Sequence, residues 1–436
     1  SRCLKLADYV GEKNISQGII SGAFPTFSLR KNEDGSFVNE KSGISLPKNL
    51  PLVLRLATGE HVRRFEAPDS DLFIIFPYEF VEERATIVAP EDFPAKYPEV
   101  FNYLKKFESE LRKRDSGKLD KPTWYEYSRT QNLNKQQKIK LLIAGTAPEL
   151  RVTLDGDGSV AANDKRVYTV TSDDVSDLKF LLGILNSKAV DFVFRRMARP
   201  KVNNFFDIEK QFLAPLPIPN ATDEQKSSVA SQAETLQELS TKSRNIVNRI
   251  AKRSSSLKIK KRPIHWLFPD LPLLDDIEET SPQGSDTRER KAWAKSKLAE
   301  AVTAKHEEIT ERLNPTAELS ARFEDGELSF FVDHAPVVSD VWLDDDEGTF
   351  IAVQWANFAA TFNITEKSNG KKLCDALLKV GETDNTALRD QIIKLQGELA
   401  ALDTDIAAKE LALNQKIYDL YELTDKEIEM IEKDRL

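Results

Sequence analysis

The stretch KIKLLIAGTAPELRVTLDGDGSVAANDKRVYTV, Lys138 to Val170, decides the fold. Ile139 to Ile143 is a short apolar run, and Arg151 to Leu154 and Arg166 to Thr171 alternate with the period of strands. Asp155 to Ser159 (DGDGS) reads as a hairpin turn, since it lacks the later Glu of a calcium loop. Downstream, Leu178, Leu181, Leu182, Leu185, Ala189 and Phe192 recur at helical spacing and predict a helix that lays one apolar stripe on the sheet. That helix runs into Arg195, Arg196, Arg199 and Lys201, so the packed unit is expected to end in a positive cluster. Upstream lies the aromatic and basic run WYEYSRTQNLNKQQK, Trp124 to Lys138. The block closes on FLAPLPIP, Phe212 to Pro219, where three prolines are expected to exclude regular structure.

Further out, Leu4 to Phe80 reads as β-rich, with Leu52 to Leu56 and Leu72 to Phe76 as strands and Asn39 to Lys48 as loop. Phe101, Leu104, Phe107 and Leu111 predict a helix from Pro98 to Arg114. Thr222 and Gln225 form a capping-box pattern for a long helix to Arg253. From Ser254 to Thr383 the composition changes. A Ser and Lys rich linker and an acidic loop, Pro269 to Asp286, lead to a helix over Thr287 to Leu313. Strands are then predicted at Leu328 to Val332, Val337 to Leu343 and Thr349 to Thr361. Last comes a helix with Leu388, Ile392, Leu395, Leu399, Leu402, Ile406, Leu413 and Leu420 in a coiled-coil register, interrupted by Lys409 and Lys416. Such a seam requires a partner, and the first long helix is the candidate, running antiparallel. Thr424 and Glu427 cap a short final helix. The expected fold class is α+β. Residues 1–220 are expected to form a β-rich domain, 221–253 a first spacer helix, 254–383 a small α+β insert and 384–436 a second spacer helix with the final helix.

The 62 basic and 71 acidic residues give a formal net charge of -9, which on average disfavours a nucleic-acid partner. The average conceals segregation. Thr241 to Arg262 holds nine Lys or Arg and no acid, and Phe101 to Arg151 holds twelve basic and six acidic residues. Pro263 to Phe350 holds eight basic and twenty-one acidic residues, a net of -13. Two cysteines, Cys3 and Cys374, argue against a disulfide framework or a zinc site and for a cytoplasmic setting. No apolar run approaches the roughly 18 residues of a membrane span, so no membrane partner is expected. Because residue 1 is Ser, the chain is expected to be a piece of a longer protein whose catalytic part lies elsewhere.

In order along the chain, WYEYSR, KIKLLI, the DG turn, NDK before an apolar strand, LLGILNSK and FLAPLPIP resemble the target-recognition domain of TaqI-like adenine DNA methyltransferases. Type IIG restriction-modification enzymes and type I specificity subunits have similar domains. GIISGAF (Gly18 to Phe24) and Leu50 to Tyr78 resemble the family's entry block, and IYDLYELTDKEIEMIE (Ile417 to Glu432) its C-terminal signature. The resemblance covers Leu4 to Arg253 and Asp384 to Leu436. It implies a specificity portion that reads a short duplex sequence for a restriction-modification or phage-defence methyltransferase. The methyl donor, S-adenosylmethionine, would bind in a separate catalytic domain or subunit, the expected partner besides double-stranded DNA.

Candidate DNA-binding residues follow from position and type. Arg63 and Arg64 follow a turn, Arg129, Arg151 and Lys165 lie at strand ends and loops, and Arg195, Arg196, Arg199 and Lys201 form the cluster that repels itself unless an anion meets it. Trp124, Tyr125 and Tyr127 fit either a core or a stacking surface, and Trp124 and Tyr125 join the candidates. No catalytic, cofactor-binding or metal-binding residue is assigned. The chain has no Gly-rich turn after a strand, no Walker motif, no NPPY-type tetrad and no HExxH, so whether it is itself an enzyme stays open. The run Asp344 to Glu347 is expected to be a solvated turn. Two other readings stay open: a protein-interaction module acting through the coiled coil, and an enzyme with its site in the acidic insert.

Overall fold

The computed structural model describes all residues except 1, 2, 202–204, 283–285, 315, 316, 363, 366, 435 and 436. It is mixed α+β, and the chain divides into two compact units, residues 1–244 with 402–436, and 245–401. The division falls inside the two long helices, Asp223–Ser254 and Thr386–Leu420, rather than at their ends.

In the first unit, the central element is a four-stranded antiparallel sheet ordered Val152–Asp155, Lys140–Ala144, Val167–Val170 and Ile15–Gln17. All five residues of Lys140–Ala144 are buried, as a strand covered on both faces requires. Helix Val175–Leu185 packs on it through Leu178, Leu181, Leu182 and Leu185. The predicted single helix is in fact two, because Asn186 leaves the helical ladder and Ser187 caps Lys188–Met197 by accepting from the Val190 N–H. Asn186 is buried and bonded to both backbone groups of Val152, at 3.0 and 2.8 Å, which locks helix to sheet.

A six-stranded sheet ordered Val160–Ala162, Val53–Ala57, Leu72–Ile75, Ser28–Lys31, Phe37–Val38 and Ser45–Leu46 carries a second core. Its first pair is parallel, and DGDGS, expected as a hairpin turn, instead passes the chain from one sheet to the other, since the strands on either side of it do not pair. That turn is anchored by a buried ion pair. Lys140 Nζ donates to Asp155 Oδ2 at 2.6 Å and to the Gln136 and Lys138 carbonyls, three acceptors for the three donors of an ammonium. Asp155 also accepts from the Ser159 and Val160 N–H groups. Burial lowers the pKa of the ammonium and raises that of the carboxyl, each opposed by the other's charge.

Three further expectations are corrected in this unit. The helix expected over Pro98 to Arg114 is broken into Pro98–Lys105, Glu108–Arg112 and Arg114–Gly117, with Asp115 and Ser116 at positive φ. Pro217–Pro219 does form a strand, pairing with Cys3–Lys5 in a two-stranded ribbon, where proline is tolerated because only one edge is paired. Asn39 to Lys48 is not all loop, since Ser45–Leu46 pairs with Phe37–Val38. Both expected capping boxes form, at Thr222 with Gln225 and at Thr424 with Glu427. The two long helices run antiparallel here: Lys416 reaches Ser228 at 2.5 Å and Ser243 reaches Asp403 at 2.9 Å. Val229, Ala233, Leu236, Leu413 and Ile417 join the first core.

The second unit has its own core around Phe330, Ile351, Trp355, Leu373 and Val380. A three-stranded meander, Leu319–Glu324, Glu327–Val332 and Ala335–Trp342, packs with helices Thr287–Arg312, Asp345–Thr361 and Gly370–Leu377. The strand expected at Thr349 to Thr361 is thus a helix. Phe350, Ile351, Val353 and Trp355 are all buried, so its apolar residues carry no clear single period, and Asp344 caps it by accepting from the Glu347 N–H. Asp344 to Glu347 are therefore a helix start, not a free turn. The acidic loop contains a short helix, Leu274–Glu279, and its residues 283–285 lie outside the described ones.

Candidate nucleic-acid interface

One end of the four-stranded sheet collects the loops that carry most of the candidate cations. At that end Ala144 closes its strand, donating from its N–H to the Arg151 carbonyl at 3.1 Å, and pairs on its other side with Val167. Gly18 follows the outer strand and donates to the Val167 carbonyl at 3.2 Å. Four strand ends thus form one row, about 15 Å wide at the usual strand spacing of about 4.8 Å. From it emerge the segment after Gly18, the segment after Gly145, the start of the strand after Arg151, and the short turn Asp164–Arg166.

Two glycines bring these segments together. A Cβ on Gly18 would lie 2.2 Å from the Ala162 carbonyl oxygen, and one on Gly145 would lie 2.0 Å from that of Lys165. Only glycine permits either approach. As a result the Asp164–Arg166 turn is fixed on both flanks by its backbone, with Gly18 N–H donating to the Asp164 carbonyl at 2.9 Å and Gly145 N–H to the Arg166 carbonyl at 2.8 Å. The side chains of Lys165 and Arg166 stay exposed. Beyond Gly145, Thr146–Ala147 pairs with Phe206–Asp207, which pairs with Arg199–Pro200. This small sheet adds Arg199 and Lys201, the latter held by Asp207 at 2.5 Å. On the far side, Arg129 bridges to Ile20 and remains more than half exposed, 3.4 Å from Asp115.

The remaining candidates lie elsewhere or are committed to other partners. Trp124 and Tyr125 are core: both are buried, and the Tyr125 hydroxyl donates to the Val88 carbonyl at 2.5 Å, so neither presents a face to a base. Tyr127 is buried too, its hydroxyl on the Ile75 carbonyl. The positive cluster does meet an anion, but one from its own chain. Arg195, 14% exposed, forms an ion pair with Asp191 and donates to Asp434, and Arg196 bonds Asp434 in a two-pronged contact while stacking on Phe192. The Arg196 hydrogen bonds lower the Asp434 pKa, whereas burial raises that of Asp191. Lys188 pairs with Glu432, completing a clamp on the final helix Asp425–Lys433. Arg64 donates to the Asn186 carbonyl at 2.8 Å and faces Glu410 at 3.4 Å. Arg63 lies in the turn before Phe65 with its side chain 43% exposed.

Two residues were missed by sequence reading. Arg166 stands beside Lys165 and shares its exposure, and its side chain enters no ion pair among the described residues. Arg114, expected only as the end of the helix over Pro98 to Arg114, is buried and donates to the carbonyls of Leu111, Ser21, Trp124 and Glu126, tying the Gly18–Ala23 segment to the aromatic core. Among the described residues no cluster of three or more His, Cys, Asp or Glu side chains is arranged to hold a metal, and no helix is long and apolar enough to cross a membrane.

Residues 58–218, which contain three of this sheet's four strands and most of its end loops, match the family model of the TaqI-like C-terminal specificity domain. The resemblance to that domain family holds. Over 156 residues the chain is 26% identical to the type II restriction enzyme and methyltransferase RM.Eco57I of Escherichia coli, a match covering 33% of this chain and 16% of that protein. The chain therefore corresponds to a minor part of that relative's length. Among solved structures, the type IIG restriction endonuclease BpuSI aligns over 69% of this chain and 31% of its own, with 13% identity and a TM-score of 0.30.

Proposed function

We propose that this chain reads a short duplex DNA sequence as the specificity portion of a restriction-modification or phage-defence adenine methyltransferase. The observation that carries the reading is the loop end of the four-stranded sheet, where residues far apart in sequence, Arg129, Arg151, Lys165, Arg166 and Arg199, come to one edge of a domain similar to known specificity domains. Their arrangement suits both tasks of DNA recognition. Loop cations with long, exposed side chains reach base edges in a groove, while others contact phosphate and set the register. Backbone fixed by Gly18 and Gly145 reduces the ordering cost of such contacts. Transfer of a methyl group from S-adenosylmethionine belongs, in this reading, to a catalytic domain or subunit to which this chain delivers the DNA.

The test is selection from a random duplex pool with the chain as given. Enrichment of one short motif supports the reading. Binding without enrichment at any salt concentration contradicts it.

A further inference from the structure

We propose that Arg63, Arg151 and Arg244 form a phosphate clamp at the joint between the specificity domain and the first long helix, with Arg244 a DNA contact outside the matched segment. This inference rests on the DNA-reading function proposed above.

The clamp is built from three segments. The first is the turn Arg63 to Glu66, in which the Glu66 N–H donates to the Arg63 carbonyl at 3.4 Å and buried Phe65 takes a positive φ of 53°. A Phe in that conformation is strained and persists because its surroundings hold it. The second is the strand start. Phe65 N–H donates to the Val152 carbonyl at 3.2 Å, which sets the turn beside Arg151, and Thr153 Oγ1 donates to the Glu66 carbonyl.

The third is the helix. Gln237 bonds both backbone groups of Leu154, at 2.8 and 2.9 Å, and Thr241 Oγ1 accepts from the Ala67 N–H at 2.8 Å. Positions 237, 241 and 244 are spaced by four and three, so Arg244 lies on the same helical stripe, one turn beyond Thr241, near enough to Glu66 for its charge to act on that carboxylate.

The three guanidiniums have donors to offer. Arg63 is 43% exposed and 3.9 Å from Glu66, and Arg151 is 37% exposed and 3.8 Å from Glu149, both beyond hydrogen-bond reach. Among the described residues none of the three donates a side-chain hydrogen bond, although each guanidinium carries five N–H groups in a planar fork suited to phosphate oxygens. All three act electrostatically on the Glu66 carboxylate, whose pKa burial still raises. Three positive charges against Glu66 and Glu149 leave the joint cationic. Phosphate is favoured over an acidic peptide because Arg151 belongs at once to this cluster and to the loop end of the sheet, so one DNA backbone running across that edge meets both.

Duplex binding by the full chain is measured against salt for the unaltered protein, Arg244→Ala and Arg244→Lys, with melting temperature as a folding control. If the clamp holds phosphate, Arg244→Ala binds several-fold more weakly, the slope of log affinity against log salt shrinks by about 0.9, and the ranking of duplex sequences is unchanged. Arg244→Lys should recover much of the slope. An unchanged slope in Arg244→Ala, with sequence preference intact, overturns the clamp and leaves the reading of DNA standing. A changed preference overturns it in favour of base contact, and binding by an acidic peptide that Arg244→Ala abolishes, with duplex affinity unaltered, overturns it in favour of a protein partner. No duplex binding by the unaltered chain overturns both.

Discussion

Two groups of cations in the first unit look alike in the sequence and differ in what they meet. At the loop end of the sheet, Lys165, Arg166 and Arg199 are exposed on a backbone pinned from both sides. Along helix Lys188–Met197, Arg195 and Arg196 close on Asp434, more than 230 positions away in sequence, and Lys188 closes on Glu432. The first group offers its donors to solvent. The second uses them to hold the final helix. A dense run of Arg is therefore evidence that an anion is needed, and says nothing about whether the chain supplies it.

The comparison can be broken at its foundation. Lys140→Ala leaves Asp155 buried with its charge partner gone, and both sheets depend on the turn which that pair anchors. Removing one partner of a buried pair costs about 3–5 kcal/mol. Chemical denaturation should register that loss, with DNA binding falling in step with the folded fraction. A stability change under about 1 kcal/mol, the scale of an exposed pair, would mean that the pair does not anchor the turn.

Arg195→Ala addresses the clamp. It removes a hydrogen bond to the Asp434 carboxylate and the ion pair with Asp191 at a side chain that is mostly buried, a loss of roughly 1.5–3 kcal/mol. Hydrogen exchange should accelerate first in Asp425–Lys433, while the amides of Lys140–Ala144 stay protected. Uniform acceleration in both would show that the final helix is no separate attachment.

The smallest effect is on pH. Because Arg196 lowers the Asp434 pKa, the clamp's contribution is complete above the ordinary carboxylate value near 4 and disappears as pH falls through the depressed one. The component of the Asp425–Lys433 amide shifts that Asp434→Asn removes should be flat from about pH 6 to about pH 4 and move only below that. A transition above pH 5 that survives Asp434→Asn would assign the titration to another group.

Much of this fold could be read from the sequence because local chemistry dictated it. The strand expected at Ile139 to Ile143 is found at Lys140–Ala144, and the capping residues Thr222 and Thr424 do what their spacing implies. The turn at DGDGS was legible, but the role of Asp155 was not, since nothing local distinguishes a buried aspartate from a solvated one. Apolar periodicity failed where burial is nearly all-round: Thr349 to Thr361 has no clear period, and only the structure shows it as a helix. It also failed at Asn186, where a tertiary bond to Val152 interrupts a run that reads as continuous.

Of the candidate site, residue types and loop positions were legible for Arg129, Arg151, Lys165, Arg199 and Lys201. By residue type Trp124 and Tyr125 fitted either a core or a stacking surface, and packing against Phe93 and Phe101 places them in the core. Arg244 was legible only as one of the nine basic residues of Thr241 to Arg262. Its place depends on Gln237 and Thr241 meeting strands from another part of the chain.

The most direct test of the contrast between open and neutralised cations is the salt dependence of duplex binding by two folded variants, Lys165→Ala/Arg166→Ala/Arg199→Ala and Arg195→Ala/Arg196→Ala. The first should lose about 0.9 in slope for each phosphate contact removed, so between about 1 and about 3 in all. The second should keep the slope of the unaltered chain, whatever it loses in stability. The reverse result, a flattened slope in the second variant and an unchanged one in the first, would contradict the account.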